Sequence, residues 1–190
     1  MASLVLNGNT SGSVTISSPA VSGTTTLTLP TTSGTVITTG STFGGTGPAF
    51  RAYRSTSLQS IPINTNTKIQ LNAEDFDTNN NFDSTTNYRF TPTVAGYYFI
   101  SGCVALNNNV NNVGAYVLIY KNGTSIASSS GTANANVYSG LTVSTLVYCN
   151  GSTDYIELYA FQNQGTYSAL SGIFVNGDAT YLSGFLARSA

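Results

Sequence analysis

The stretch Tyr88–Ile100, YRFTPTVAGYYFI, decides how the rest of the chain is read. Tyr88 and Phe90 flank Arg89, and Tyr97, Tyr98, Phe99 and Ile100 follow closely. Pro92 cannot donate to a sheet ladder and Gly96 tolerates bends, so the segment reads as a short strand, a turn and a second strand. The second strand continues through Ser101-Gly102-Cys103-Val104-Ala105-Leu106.

C-terminal to it the same alternation persists. NNNVNNVG (107–114) reads as an exposed loop, and Ala115–Tyr120, AYVLIY, as an apolar central strand. Lys121-Asn122-Gly123-Thr124 is the strongest short-range hairpin signal, because Asn-Gly accepts the positive φ angles of a type I′ turn. Ser125–Ser128 returns, and GTANAN (131–136) reads as a loop. Val137–Cys149 is a long strand turned at Asn150-Gly151. Asp154–Phe161, DYIELYAF, carries large side chains on both faces, as in a strand that also touches a neighbour. Tyr181–Ala187, YLSGFLA, is too apolar for a free end and is expected centrally in a sheet.

On the N-terminal side, Ala49–Ser55 puts Phe50 and Tyr53 into an opening strand, and Ser57–Ile63 reads as a second. Thr67–Leu71 alternates with Ile69 and Leu71 on one face. Glu74, Asp75, Asp77 and Asp83 surround an Asn-rich loop whose Phe76 and Phe82 are expected to tuck back onto the body as its anchors. No helical periodicity of useful length appears, and the run of short strands points to an all-β sandwich or jelly roll.

Before about residue 44 the character differs. SGSVTISSPAV, SGTTTLTLPTT and SGTVITTGSTF begin at Ser11, Ser22 and Ser33, a period of 11. Each is a short β-prone run after a Ser-Gly turn, with Pro19 and Pro30 at matching positions. No charged residue lies between Asn7 and Gly47. The segment is either a flexible linker or an arm that orders against partner chains; its regularly placed Leu, Val and Ile favour the arm. Thr42–Pro48, TFGGTGP, reads as the hinge, which divides the chain into an arm, 1–44, and a head, 45–190.

Composition narrows the function. Charged residues make up 7% of the chain, against about 25% in an ordinary soluble domain. The net charge is −1 and histidine is absent. Six Lys and Arg residues leave no basic footprint for nucleic acid. No apolar run is long enough for a membrane span, and MASLVLNGNTSG lacks the basic start of a signal peptide. A surface this poor in charge gains little solubility from repulsion, so part of it is expected to be covered by copies of itself or a larger assembly.

Chemistry is sparse. Without histidine, acid–base work falls to carboxylates or Lys. Glu74, Asp75, Asp77 and Asp83 read first as a solvated turn, then as a weak oxygen-only calcium site, and last as a glycosidase-like pair. Cys103 and Cys149 read as a buried reduced pair or, second, a disulfide. The expectation is no catalytic residue, no cofactor beyond that weak calcium site, and no metal centre otherwise.

The order aFRAYRS, SIPINTNTKIQLN, FDTNNNFD, YRFTPTVAGYYFISG, VLIYKNG, IELYAFQNQG, YLSGFLA resembles the globular head of the C1q/TNF-like superfamily over about Gly45–Ala187. Phe90, Gly96 and Tyr98 fit that family's spacing, whereas Ile100 and Gly102 stand where aromatics are expected. The resemblance implies a ten-stranded jelly roll, a homotrimer packed through strand faces, and no enzymatic activity. Phe50, Tyr53, Phe90, Tyr98, Tyr120, Tyr155, Tyr159 and Phe185 are the expected core or trimer residues. The phrase SGTTTLTLPTTSGTVITTG is similar to segments frequent in tail-fibre and other virion proteins of tailed bacteriophages. Together the two resemblances imply a virion protein, on the outer capsid surface or the tail. Leu4, Leu6, Val14, Ile16, Leu27, Leu29, Val36 and Ile37 would anchor it to the major capsid protein or another virion protein. The leading expectation is a capsid decoration, cement or head-fibre protein. The alternative is a tail-fibre or receptor-binding protein for host surface glycans, contacted through Asn109, Asn111 and Tyr167, and the distant one a glycan-degrading enzyme.

Overall fold

The computed structural model of the chain describes residues 3–7, 9–17, 23–24, 26, 31, 47–55, 58–106, 113–133, 139–163 and 179–190. They belong to two units, Met1–Ser41 and Thr42–Ala190. No helix occurs among the described residues.

In the first unit, β1 (Ser3–Asn7) and β2 (Ser13–Ser17) form an antiparallel hairpin with Leu4 opposite Ile16 and Leu6 opposite Val14. Gly12 has φ +77°, and Gly23, the matching residue of the next repeat, has φ +57°. Left-handed backbone favours glycine, which suits Gly12 and Gly23 to these matching positions. Leu27, Leu29, Val36 and Ile37 lie outside the described residues.

The second unit is a sandwich of two antiparallel sheets. One has five strands: β3 (Ala49–Tyr53), β5 (Ala73–Asp77), β8 (Ala95–Leu106), β11 (Ser139–Asn150) and β13 (Tyr181–Ser189), ordered β11-β8-β13-β3-β5. The other has six: β4 (Thr67–Lys68), β6 (Phe82–Asp83), β7 (Arg89–Phe90), β9 (Val113–Lys121), β10 (Thr124–Ala133) and β12 (Ile156–Gln162). Its order is β10-β9-β12-β7-β6, with β4 also paired to β12. As expected, the apolar strand around AYVLIY and the closing YLSGFLA strand are both internal to their sheets.

The Tyr88–Ile100 stretch carries the chain from one sheet to the other: β7 belongs to the six-stranded sheet and β8 to the five-stranded one. The buried Asn81 holds the turn between them, accepting at Oδ1 from Thr93 N (3.2 Å) and at its carbonyl from Thr91 N (2.8 Å). Tyr98 O–H donates to the Val94 carbonyl at 2.7 Å. Phe90 then stacks on Phe50 at 4.1 Å and meets Tyr98 edge-on at 5.6 Å, while Phe82 stacks on Phe50 at 5.5 Å. Two rings from each sheet thus lock the layers together, the largest apolar burial available to such side chains. Leu158, Ile119, Ile156, Leu71 and Leu182 extend the core.

Gly102, where the family pattern has an aromatic, faces this core. A Cβ there would lie 2.6 Å from Leu158 Cδ1 of the opposite sheet, so Leu158 fills the space an aromatic would need. At the Asn122-Gly123 turn both residues have positive φ (51° and 78°), as type I′ requires.

Several expectations are corrected. Glu74, Asp75 and Asp77 lie in strand β5, not in a loop, because this segment pairs with β3. A register shift between Arg51 and Ala52 brings Phe76 opposite Arg51, so Phe76 is exposed while Phe82 alone is buried. Residues 58–63 form no strand: Pro62 lacks an N–H, and side-chain amides take over the pairing. Gln162 Nε2 donates to the Ile61 carbonyl (2.9 Å) and Gln59 Nε2 to that of Lys68 (2.7 Å). Of the Thr67–Leu71 run only Thr67–Lys68 is strand, although Ile69 N donates to the Leu158 carbonyl of β12 (2.8 Å) and Ile69 and Leu71 are both buried. Gly131–Ala133 belongs to β10, not a loop, being paired with Val113–Ala115.

Candidate functional site: the two outer sheet faces

Strands alternate their side chains, so each sheet has a face turned to the core and an outer face. On the five-stranded sheet, register aligns Leu146, Phe99, Phe185 and Ala49 in one row across β11, β8, β13 and β3. The adjoining row holds Tyr148 and Tyr97. Phe99 and Phe185 touch at 5.7 Å, and Tyr97 and Tyr148 at 5.5 Å. These five large non-alanine side chains are between 39% and 60% exposed. Beside them, Tyr97, Leu146, Tyr148 and Ala187–Ala190 bound a depression of about 490 Å³.

On the other side of the apolar row lie Ser144, Ser101, Ser183 and Arg51, then Thr142, Cys103, Tyr181 and Tyr53. Arg51 pairs with Asp75 and lies over the Tyr181 ring at 4.7 Å. The face is therefore an apolar aromatic centre, with the Arg51–Asp75 ion pair at one margin and the exposed Arg188, opposite Tyr97, at the other.

The outer face of the six-stranded sheet is built differently. Ser130, Tyr116 and Phe161 share one row across β10, β9 and β12, and Ser128, Leu118 and Tyr159 share the next, with Lys68 beyond. Tyr120 and Glu157 follow. Tyr120 and Tyr159 stack at 4.0 Å, and Tyr116 meets Phe161 at 5.6 Å. Lys68 Nζ donates to Glu157 Oε1 at 2.8 Å, and Asn66 Nδ2 to the Tyr120 hydroxyl at 2.9 Å. Burial, then the neighbouring Glu157, pushes the Tyr159 phenol up.

Of the expected core or trimer residues, Phe50, Phe90 and Tyr98 are buried between the sheets. Tyr53 and Phe185 are on the outer five-stranded face, and Tyr120 and Tyr159 on the opposite one, with Tyr155 under the Arg89 guanidinium at 4.3 Å. The acidic residues are spread out. Asp75 engages Arg51, and Asp77 accepts from Phe82 N (2.6 Å) and Asn79 N (3.2 Å). Asp83 accepts backbone N–H bonds from Thr85, Thr86 and Asn87, which hold its carboxyl well below the usual range. Among the described residues no group of three or more His, Cys, Asp or Glu is placed to hold a metal ion.

Cys103 pairs with Thr142 and Cys149 with Gly96, at opposite ends of the β8–β11 ladder. They lie seven strand steps apart, about 23 Å at the strand rise, so they stay free thiols rather than a disulfide. Burial pushes both thiols up, Cys149 to about 11. Leu4 and Val14 lie in the arm's strands, and Leu6 and Ile16 are exposed there. Asn109, Asn111 and Tyr167 lie outside the described residues.

Tyr148 was expected in core or subunit packing, but Tyr97, Phe99 and Leu146 were not anticipated as site residues, nor were Tyr116, Leu118 and Phe161. Their signal was present as consecutive large residues, Tyr97-Tyr98-Phe99, which load both faces of one strand.

No protein-family profile and no curated protein sequence matches the chain. Among solved structures, the globular domain of zebrafish complement 1qA protein superposes with a TM-score of 0.53 at 17% identity, over 76% of this chain and 99% of that one. Murine APRIL, crystallised at pH 5.0, superposes with a TM-score of 0.52 at 10% identity, over 74% and 98%. At these identities the likeness is one of fold: the chain carries a jelly-roll head of C1q/TNF type.

Proposed function

We propose that this chain is a non-enzymatic structural protein of a bacteriophage particle, a homotrimeric capsid decoration or cement protein anchored by its N-terminal arm. The observation that carries the reading is the apolar outer face of the five-stranded sheet. Contiguous exposed apolar surface of this kind marks an interface, and the sheet's uncharged centre fits another copy of itself better than a charged partner. The C1q/TNF-like fold supports three copies closing around that face, since a closed symmetric ring leaves none of it open.

The arm supports attachment. A two-stranded hairpin is at best marginally stable alone, and this one exposes Val5, Leu6 and Ile16. Those side chains, with Leu4, Val14, Leu27, Leu29, Val36 and Ile37, order against the major capsid protein or another virion protein. Asp75, Asp77 and Asp83 form no acid–base pair: Asp75 is held by Arg51, and Asp77 and Asp83 by their own turns. A tail-fibre or receptor-binding role is the second reading, favoured by the ring-and-hydroxyl character of the six-stranded face.

Deleting residues 1–40 tests the attachment. The truncated head is expected to stay folded and trimeric while no longer joining particles; if it still decorates them, the arm does not anchor. Particles lacking the protein should lose heat stability if it cements. Unchanged stability with lost adsorption would favour the receptor-binding reading.

A further inference from the structure

We propose that the outer face of the six-stranded sheet is a binding site for an uncharged glycan chain. It uses from the trimer reading only that the five-stranded face is the one covered between copies, which leaves this one open.

Three features of the face select the ligand. Tyr116, Leu118 and Tyr120 on β9, with Phe161 and Tyr159 on β12, form an aromatic ridge beside an edge strand whose outer residues, Ser128 and Ser130, are short hydroxyls. The surface therefore steps down from rings to a serine shelf. From Tyr116 to Tyr120 the ridge runs about 14 Å at the strand rise, the footprint of an oligosaccharide rather than one sugar ring. Sugars present C–H surfaces and hydroxyls together, which such a step meets with ring faces and with donors and acceptors at once.

The charges argue against a polyanion or a charged peptide. Lys68 and Glu157 neutralise each other, Glu157 being buried in the pair, and Arg89 is engaged by the Tyr155 ring. Asp83 stands opposite Arg89 across the β6–β7 pair, so the two cations and two carboxylates leave no net charge to attract a charged chain. The face is also pre-organised: Tyr120 is fixed by the Asn66 bond and by stacking on Tyr159, so little side-chain entropy is lost on binding. Three copies in one trimer would multiply a weak single-site affinity. These residues are distinct from the loop positions Asn109, Asn111 and Tyr167 expected from the sequence.

The test is a glycan microarray carrying neutral hexose, N-acetylhexosamine and deoxyhexose chains beside sialylated and sulfated ones, probed with the full-length protein. At least one neutral class should bind. Tyr116→Ala should weaken that binding tenfold or more, and so should Ser128→Arg, which fills the shelf while every ring of the ridge is kept. Both variants should keep the mass of the parent in sedimentation. The proposal is overturned if no neutral glycan binds, if only anionic ones do, or if binding ignores both substitutions. Loss of the oligomer in Tyr116→Ala and Ser128→Arg would also overturn it, by making this face a subunit contact.

Discussion

Replacing Phe185 by Ala asks whether the five-stranded face holds copies of the chain together. Phe185 is 50% exposed in the single chain, so with roughly 200 Å² of side-chain surface about 100 Å² is left for a partner to cover. At about 25 cal/mol per Å² that is roughly 2.5 kcal/mol per copy when coverage is complete. Three copies lose about 7.5 kcal/mol, between five and six powers of ten in the trimer's equilibrium constant. Because trimer dissociation scales with the square of concentration, the midpoint should rise by roughly a few hundred-fold. Sedimentation equilibrium over a dilution series reads this directly, with thermal melts of the dissociated variant confirming an intact head. The parent should run at three times 19.8 kDa. Tyr116→Ala, comparably exposed on the opposite sheet, should leave the midpoint where it was. A monomeric parent at all concentrations, or an unmoved midpoint in Phe185→Ala, would refute the reasoning.

Three other outcomes follow from the packing. Gly102→Ala should cost about 1–3 kcal/mol in denaturant unfolding, because its Cβ would crowd Leu158 Cδ1 at 2.6 Å. Leu158→Val in the same chain should recover part of that loss, and strictly additive effects would count against the crowding. Asn122→Ala should cost about 2–3 kcal/mol, since its amide donates to Asp154 (2.7 Å), its carbonyl accepts from Tyr155 N (2.9 Å), and its φ is 51°. Asn122→Gly should recover only the backbone share. Alkaline stability should also decline in a defined window. Burial raises Cys149 from 9.0 to about 11 and Tyr98 from 10.0 to about 12, so the unfolded chain releases these protons first. Their contribution is whole below pH 9 and is lost progressively as pH rises toward 11 and 12. Cys149→Ala should flatten the part of the decline between 9 and 11; an unchanged pH profile would show that the thiol does not contribute.

Much of the head was legible because its information is local. The alternation of β8 and β9, the positive-φ demand met by Asn122-Gly123, and the Pro92 break are each properties of a few adjacent residues. The errors share one cause. Residues 73–77 looked like an acidic loop because Glu and Asp are poor strand formers, yet pairing with β3 made them a strand. Phe76 faces outward because of a register shift whose origin lies in that partner strand, more than 20 residues away in sequence. Residues 58–63 looked like a strand, but their contacts run through side chains, Gln162 of β12 to the Ile61 carbonyl and Gln59 to the backbone of Lys68 and Gln70.

The candidate faces show the same division. Tyr97, Tyr98 and Phe99 declare in sequence that β8 is loaded on both sides, and period 2 states that Tyr97 and Phe99 share a side opposite Tyr98. Which side meets the core depends on the partner strands. Tyr98 turns inward to meet Phe90, which is stacked on Phe50 and through it on Phe82, and this leaves Tyr97 and Phe99 outside. Leu146, Tyr148 and Phe185 join them only through the β11-β8-β13 register. By itself the sequence determined the all-β class, the turns, the uncharged arm and the parity of each strand, all set by short-range backbone and side-chain preferences. Only the tertiary structure decided which faces are open and which residues share them, because strand pairing is a long-range choice made by the packing of the whole sandwich.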